Sequence, residues 1–222
     1  MRAVAAALPG HPLLVDGNEA WPDADGVLRF LEAAAAVPGL QMRFLEQPLP
    51  AALAADYRYL RPRTSVPLLL ADESVTDEAD FAEIARQFHG VNVKLMKAGG
   101  YQRGIELLRQ TRAHGLLPML GCMVETSLGI WSALQISALA DVHDLDGILI
   151  VRDEPFGLVR EEEALGVPDS GFWQGQPPLT RDQESGTQRS ALIFASSSCS
   201  CLSTSSVTGG LGCVCCSSVT LR

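Results

Sequence analysis

Apolar and polar positions along the chain follow two periods that take turns. Short β-branched and leucine-rich runs recur in Pro12-Leu-Leu-Val-Asp-Gly-Asn18, Met42-Arg-Phe-Leu-Glu-Gln-Pro48, Val66-Pro-Leu-Leu-Leu-Ala-Asp72, Val91-Asn-Val-Lys-Leu-Met-Lys-Ala-Gly-Gly100, Leu117-Pro-Met-Leu-Gly-Cys-Met123 and Val142-His-Asp-Leu-Asp-Gly147. Each predicts a short strand. Between them, residues 27–36 carry apolar positions at Val27, Phe30, Leu31 and Ala34, the spacing of one helix face. Residues 2–8, 51–60, 80–88, 101–114 and 127–140 also predict helices, and Pro9-Gly10 and Pro38-Gly39 act as stops.

Strand alternation puts side chains two apart on one face. Leu14, Asp16 and Asn18 then share a face, as do Met42, Phe44 and Glu46; Val66, Leu68, Leu70 and Asp72; and Asn92, Lys94 and Met96. A polar residue stands at the C-terminal end of every strand. Taking Asp16, Glu46, Asp72, Lys94, Glu125 and Asp146 as markers, successive separations are 30, 26, 22, 31 and 21 residues. That is the length of a βα unit, and repeated βα units make a parallel sheet with helical crossovers. An open doubly wound sheet gathers its chemistry at one switch point, whereas a (β/α) barrel draws it from the ends of several strands, so a barrel is expected. No Gly-x-Gly-x-x-Gly and no P-loop occurs.

Composition sharpens one position. Lys94 and Lys97 are the only lysines, and every other basic side chain except histidine is arginine. Arginine does not release its proton at working pH, whereas a lysine inside a strand is a candidate general base. A snorkelling lysine at a strand end is the alternative reading. The formal charge of −9 and the lack of a basic run argue against nucleic acid as partner. No apolar run is long enough for a membrane span or a secretory leader, which makes the cytoplasm the expected location. Of the six cysteines, only Cys122 precedes Cys199, so the body of the chain reads as a reduced protein.

Asp16, Glu46 and Asp72 end three consecutive strands on the faces inferred to point inward. Gathered at a barrel mouth, three carboxylates need a cation, and an all-oxygen set suits Mg²⁺, with Mn²⁺ an alternative. Lys94 arrives on the next strand. Such a group is suited to removing a proton alpha to a carboxylate.

Asp16-Gly-Asn18, Glu46-Gln-Pro48, Ala71-Asp-Glu-Ser74 and Val93-Lys-Leu-Met-Lys-Ala-Gly-Gly100 resemble, in order and spacing, the barrel motifs of the enolase superfamily, closest to the dipeptide epimerases of its muconate-lactonizing branch. The resemblance runs over residues 9–156. It implies an isomerase that racemises or epimerises the alpha carbon of an amino-acid residue in a dipeptide through a metal-stabilised enolate. Asp16, Glu46 and Asp72 would bind Mg²⁺, Lys94 would be one acid/base lysine, and Asn18, Gln47 and Glu73 would support them. The segment Gly121-Cys-Met-Val-Glu-Thr126 resembles the lining of the family's substrate pocket, which makes Glu125 a substrate contact. Asp144-Leu-Asp146 matches the family's Asp-x-Asp signature for a dipeptide ammonium. Lys97 is expected as a substrate-side neighbour of Lys94 rather than the base.

The chain departs from that pattern at both ends. No lysine precedes Lys94, where the family uses a Lys-x-Lys on the first barrel strand. The expectation is therefore an incomplete barrel over residues 1–160, lacking that strand and the capping domain, with open edges through which copies could form a homo-oligomer. Residues 161–222 are expected to be an irregular or disordered Ser/Cys-rich tail; Cys213-Val-Cys-Cys216 has no accompanying histidine or framing turn, so zinc is not expected. An o-succinylbenzoate synthase or N-acylamino acid racemase relative and a catalytically dead metal-binding fragment stay open as alternatives.

Overall fold

The computed structural model describes residues 1–76, 79–162, 164–166 and 217–220. Strand and helix alternate through α1 (Arg2–Ala7), β1 (Pro12–Asp16), α2 (Ala24–Ala35), β2 (Gln41–Glu46), α3 (Ala54–Leu60), β3 (Leu68–Ala71), α4 (Phe81–Gln87), β4 (Gly90–Lys94), the one-turn α5 (Leu95–Ala98), α6 (Tyr101–Ala113), β5 (Leu117–Gly121), α7 (Ser127–Leu134) and β6 (Val142–Asp144). Among the described residues, two helices start on side-chain caps. Asp23 accepts the Gly26 N–H at 2.7 Å, and Asp80 accepts the Ala82 N–H at 2.9 Å. Each cap contributes about 1 kcal/mol.

β1 to β6 lie side by side in chain order, every neighbouring pair parallel. The arrangement is the incomplete (β/α) barrel expected. Its two faces bury different sets of residues. Val15, Leu45, Leu69, Val91, Val93 and Leu120 pack outward with the helices, including Val27 of α2 and Leu108 of α6. Leu14, Phe44, Leu70 and Met119 form a separate inner cluster, with Leu68, Leu117 and Val142 around it. Burying each such side chain contributes about 1.5–3 kcal/mol.

Alternation fails at two places. In β2 the register passes from Leu13↔Met42 to Leu14↔Phe44, so Arg43 is an extra residue that sends Met42 to the helix side while Phe44 and Glu46 stay inside. The lysine strand is also shorter than expected. It stops at Lys94 and winds into α5, closed by Gly99 at φ +79°, so Met96 leaves the face of Asn92 and Lys94 and is 59% exposed. His89 is half-buried, its Nδ1 accepting the Leu69 N–H at 3.1 Å.

Three short strands stand where an irregular tail was expected. β7 (Arg160–Glu162) and β8 (Ala164–Gly166) form an antiparallel hairpin, and β9 (Ser217–Thr220) pairs in parallel with β1 from Leu13↔Ser217 to Asp16↔Thr220. An open strand edge offers unpaired backbone groups, which a Val-Thr-containing segment can satisfy. The five tail cysteines lie outside the described residues. Among the described residues, no helix is long and apolar enough to cross a membrane.

Candidate active site

Four of the six strands in the array deliver a charged side chain at their last position. Asp16, Glu46, Lys94 and Asp144 are the final residues of β1, β2, β4 and β6, and Asp72 is the residue after β3. Register links them across the sheet, with Asp16 beside Glu46 and Lys94 beside Gly121, itself beside Asp144. The chain leaves β1 and β2 through left-handed backbone at Asn18 (φ +44°) and Gln47 (φ +32°). Asp16 Oδ1 fixes the first of these exits by accepting the Asn18 N–H at 2.9 Å.

The side chains form one charged cluster. Lys94 Nζ donates to Asp72 Oδ2 at 2.8 Å and lies 3.5 Å from Glu46 Oε1, while Lys97 Nζ donates to Asp72 Oδ1 at 2.5 Å. Glu46 is 2% exposed and also accepts from Asn92 Nδ2 at 2.9 Å. Burial and the neighbouring charges of Asp16 and Asp72 push Glu46 up to about 8 despite Lys94. Burial likewise raises Asp16. For Lys94, burial pulls the other way, but the charges of Glu46, Asp72 and Asp16 outweigh it and hold the ammonium above its ordinary range.

Two supporting residues carry more of the geometry than their sequence positions suggested. Gln47 is wholly buried: its Oε1 accepts the N–H of Asp72 at 3.0 Å and of Ser74 at 3.2 Å. Its Nε2 reaches Tyr57 Oη at 2.9 Å and Ser74 Oγ at 2.8 Å, so it ties β2 to the turn that presents Asp72. Asn92 shares the inner face with Lys94, as alternation required, but its role was not read from the sequence. The available signal was a second polar residue in an otherwise apolar strand. A Cβ at Gly121 would lie 2.3 Å from Asn92 Oδ1, so that glycine makes the room in which Asn92 reaches Glu46.

At the β5–β6 side, Asp144 is half-buried, and its Oδ1 is itself buried with no hydrogen-bond partner among the described residues. Burial and the charge of Asp146 raise it to about 7, against the pull of Lys94; Asp146 is raised too, chiefly by burial. Glu125 is turned back on its own loop, Oε1 accepting the Met123 N–H at 2.9 Å. Cys122 accepts the Gly147 N–H at 3.4 Å, and burial pushes its thiol up to about 12. Glu154, passed over in the sequence, accepts Ser127 N–H at 2.9 Å and Ser127 Oγ–H at 2.6 Å and pins the start of α7.

The residues at the strand ends suit a hard divalent cation in donor chemistry: three carboxylates, two of them raised by burial, with no sulfur or imidazole among them. Convergence is another matter. Among the described residues, no three His, Cys, Asp or Glu side chains draw together as a metal cluster, and the positive charge at the centre comes from Lys94 and Lys97.

Comparison with known proteins bears on the same region. Residues 1–155 match the family described as enolase C-terminal domain-like. The chain is 37% identical over 166 residues to an L-Ala-D/L-amino acid epimerase of Pedosphaera parvula, covering 74% of this chain and 47% of that protein. A solved enolase family member from Agrobacterium tumefaciens, with homology to dipeptide epimerases and bound sodium and L-Ala-L-Glu, superposes with a TM-score of 0.66 at 33% identity, over 76% of this chain and 50% of that one. A dipeptide epimerase from Enterococcus faecalis complexed with Mg and L-Leu-L-Tyr gives a TM-score of 0.58 at 27% identity, over 67% and 42%. The chain thus spans about half the length of the curated relatives it matches.

Proposed function

The chain belongs to the enolase C-terminal domain-like family, and on that premise we propose that its strand ends form a metal-assisted acid–base centre acting on the alpha carbon of an amino-acid residue in a dipeptide. The observation that carries this reading is the meeting of Lys94 with Asp72 and Glu46 at the C-terminal ends of adjacent strands. The working unit is the body of residues 1–160, with 161–222 outside the chemistry.

Asp16, Glu46 and Asp72 would hold Mg²⁺, whose chemistry is to stabilise the negative charge that grows on the substrate carboxylate and to take up the carboxylate charge that keeps Lys94 protonated. Lys94 exchanges a proton with the alpha carbon from its position at the end of β4. Asn92 and Gln47 hold Glu46 and the Asp72 backbone in place during that exchange. Asp144 and Asp146 receive the dipeptide's ammonium, and a cation between them offsets the burial that raises both and the charge of Asp146 that adds to it at Asp144.

Inversion of an alpha carbon takes a base on each face, and Lys94 serves one. Lys97 reaches the same Asp72 carboxylate as Lys94 and so stands on the same side of the site, and no third lysine exists in the sequence. The expected activity of this chain is therefore proton exchange with retention. The test is L-Ala-L-Glu incubated in D₂O with Mg²⁺, read by mass spectrometry and chiral analysis. Metal-dependent uptake of one deuterium, abolished by chelator and by Lys94→Ala, supports the reading; soluble, folded protein that gives no uptake overturns it.

A further inference from the structure

Asp72 has two carboxylate oxygens, and an ammonium sits on each. Lys94 takes Oδ2 at 2.8 Å and Lys97 takes Oδ1 at 2.5 Å. A cation can use one of these oxygens only when an ammonium leaves it. The two lysines are not equivalent. Lys94 has a second carboxylate, Glu46, at 3.5 Å, and its side chain is 11% exposed; the Lys97 side chain is 36% exposed.

Their mounting differs as well. Lys94 is fixed as the last residue of β4, whereas Lys97 rides on the single turn of α5, bounded by Gly99 and Gly100, both at positive φ. That turn is anchored through buried Leu95, against which Gly104 of α6 packs so closely that a Cβ there would lie 2.6 Å from Leu95 Cδ2. A cleft of about 340 Å³, lined by Asp72, Lys94, Lys97, Val75 and Ala98, lies beside the ion pair. The Lys97 head group therefore has room to move while its backbone stays put.

We infer that Lys97 is a displaceable internal counter-ion: it occupies an oxygen of Asp72 and yields it, swinging into the adjoining cleft, when a divalent cation enters. The inference rests on the reading of Asp72 as a cation ligand. It assigns Lys97 a role in setting cation affinity, distinct from proton transfer by Lys94. The device keeps a buried carboxylate paired whether or not a cation is present, which avoids the large penalty of an unpaired buried charge.

Two measurements test it. Calorimetric titration of Mg²⁺ into the full chain compares wild type, Lys97→Met, Lys97→Gln and Asp72→Asn at low salt and at about 0.5 M NaCl, where the field of a half-exposed charge is screened. Displacement predicts about tenfold tighter binding in both Lys97 variants, retained at high salt, and loss of binding in Asp72→Asn. Lysine-labelled wild-type protein gives the second reading, since two side-chain resonances report the only two lysines. Mg²⁺ should shift the Lys97 signal toward that of a free, solvated lysine. Wild-type affinity in the Lys97 variants, a gain that vanishes with salt, or a Lys97 signal that ignores Mg²⁺ at saturation overturns the inference. Undiminished binding in Asp72→Asn overturns instead the reading of Asp72 on which it rests.

Discussion

Two layers inside the half-barrel lie a couple of residues apart on the same strands and behave as opposites. The lower, Leu14, Phe44, Leu70 and Met119, is a closed apolar cluster with no polar atom to satisfy. The upper, reached by moving two positions on from Leu14, Phe44 and Leu70, is Asp16, Glu46 and Asp72, with Asn92, Lys94 and Asp144 beside them. Three of its polar residues carry burial-raised carboxyls, and Asn92 Oδ1 and Asp144 Oδ1 are buried without partners among the described residues. Each unpartnered buried group costs about 1–3 kcal/mol, which the packed layer below has to offset. The comparison teaches that the fold is stabilised in one layer and its chemistry held at a loss in the next.

The division can be attacked from both sides. Lys94→Ala has the largest expected effect, a loss of about 10²–10⁴-fold in deuterium uptake by mass spectrometry, as for removal of a general acid–base group. Its stability effect should be far smaller relative to that loss, although it leaves Asp72 with Lys97 alone. In the lower layer, Phe44→Ala should lower unfolding free energy by about 3–5 kcal/mol in urea titrations, while Mg²⁺ affinity of the remaining folded protein is unchanged. A lower-layer substitution that altered affinity as strongly as stability would erase the distinction.

Asp144 tests the upper layer through pH. Its carboxyl is raised to about 7 in the folded chain, so its contribution to stability is fully present below the ordinary aspartate value and is lost as pH rises through about 7. Asp144→Asn should therefore flatten that part of the stability profile and melt a few degrees higher than wild type at pH 8, by differential scanning fluorimetry. A wild-type slope in the variant would mean that Asp144 is not the group responsible. The smallest effect is expected of Gly121→Ala, whose Cβ would press on Asn92. Chemical denaturation should register a loss of about 1–2 kcal/mol, with Mg²⁺ affinity falling if Asn92 positions Glu46.

Legibility in the sequence divides along similar lines. The strand ends announced themselves because a polar residue closing an apolar run is a local signal repeated at βα spacing, and Asp16, Glu46, Asp72 and Lys94 all stand where alternation and spacing put them. What alternation could not carry was its own interruption. The extra residue at Arg43 moved Met42 to the other face, and the early end of β4 removed Met96 from the site. Gln47 and Lys97 were named but not understood, since their roles depend on partners 25 residues away in Asp72. Asn92 shows the same limit: its bond to Glu46 spans 46 residues and needs a glycine on a third strand.

The central claim is that Asp16, Glu46 and Asp72 hold a divalent cation beside Lys94. A crystal of the full chain grown with Mn²⁺, with anomalous data collected at the manganese edge, tests it most directly. The account predicts one dominant anomalous peak ligated by oxygens of those three carboxylates, with Lys97 withdrawn from Asp72. A peak elsewhere, or none at saturating Mn²⁺ with both lysines still on Asp72, would contradict it.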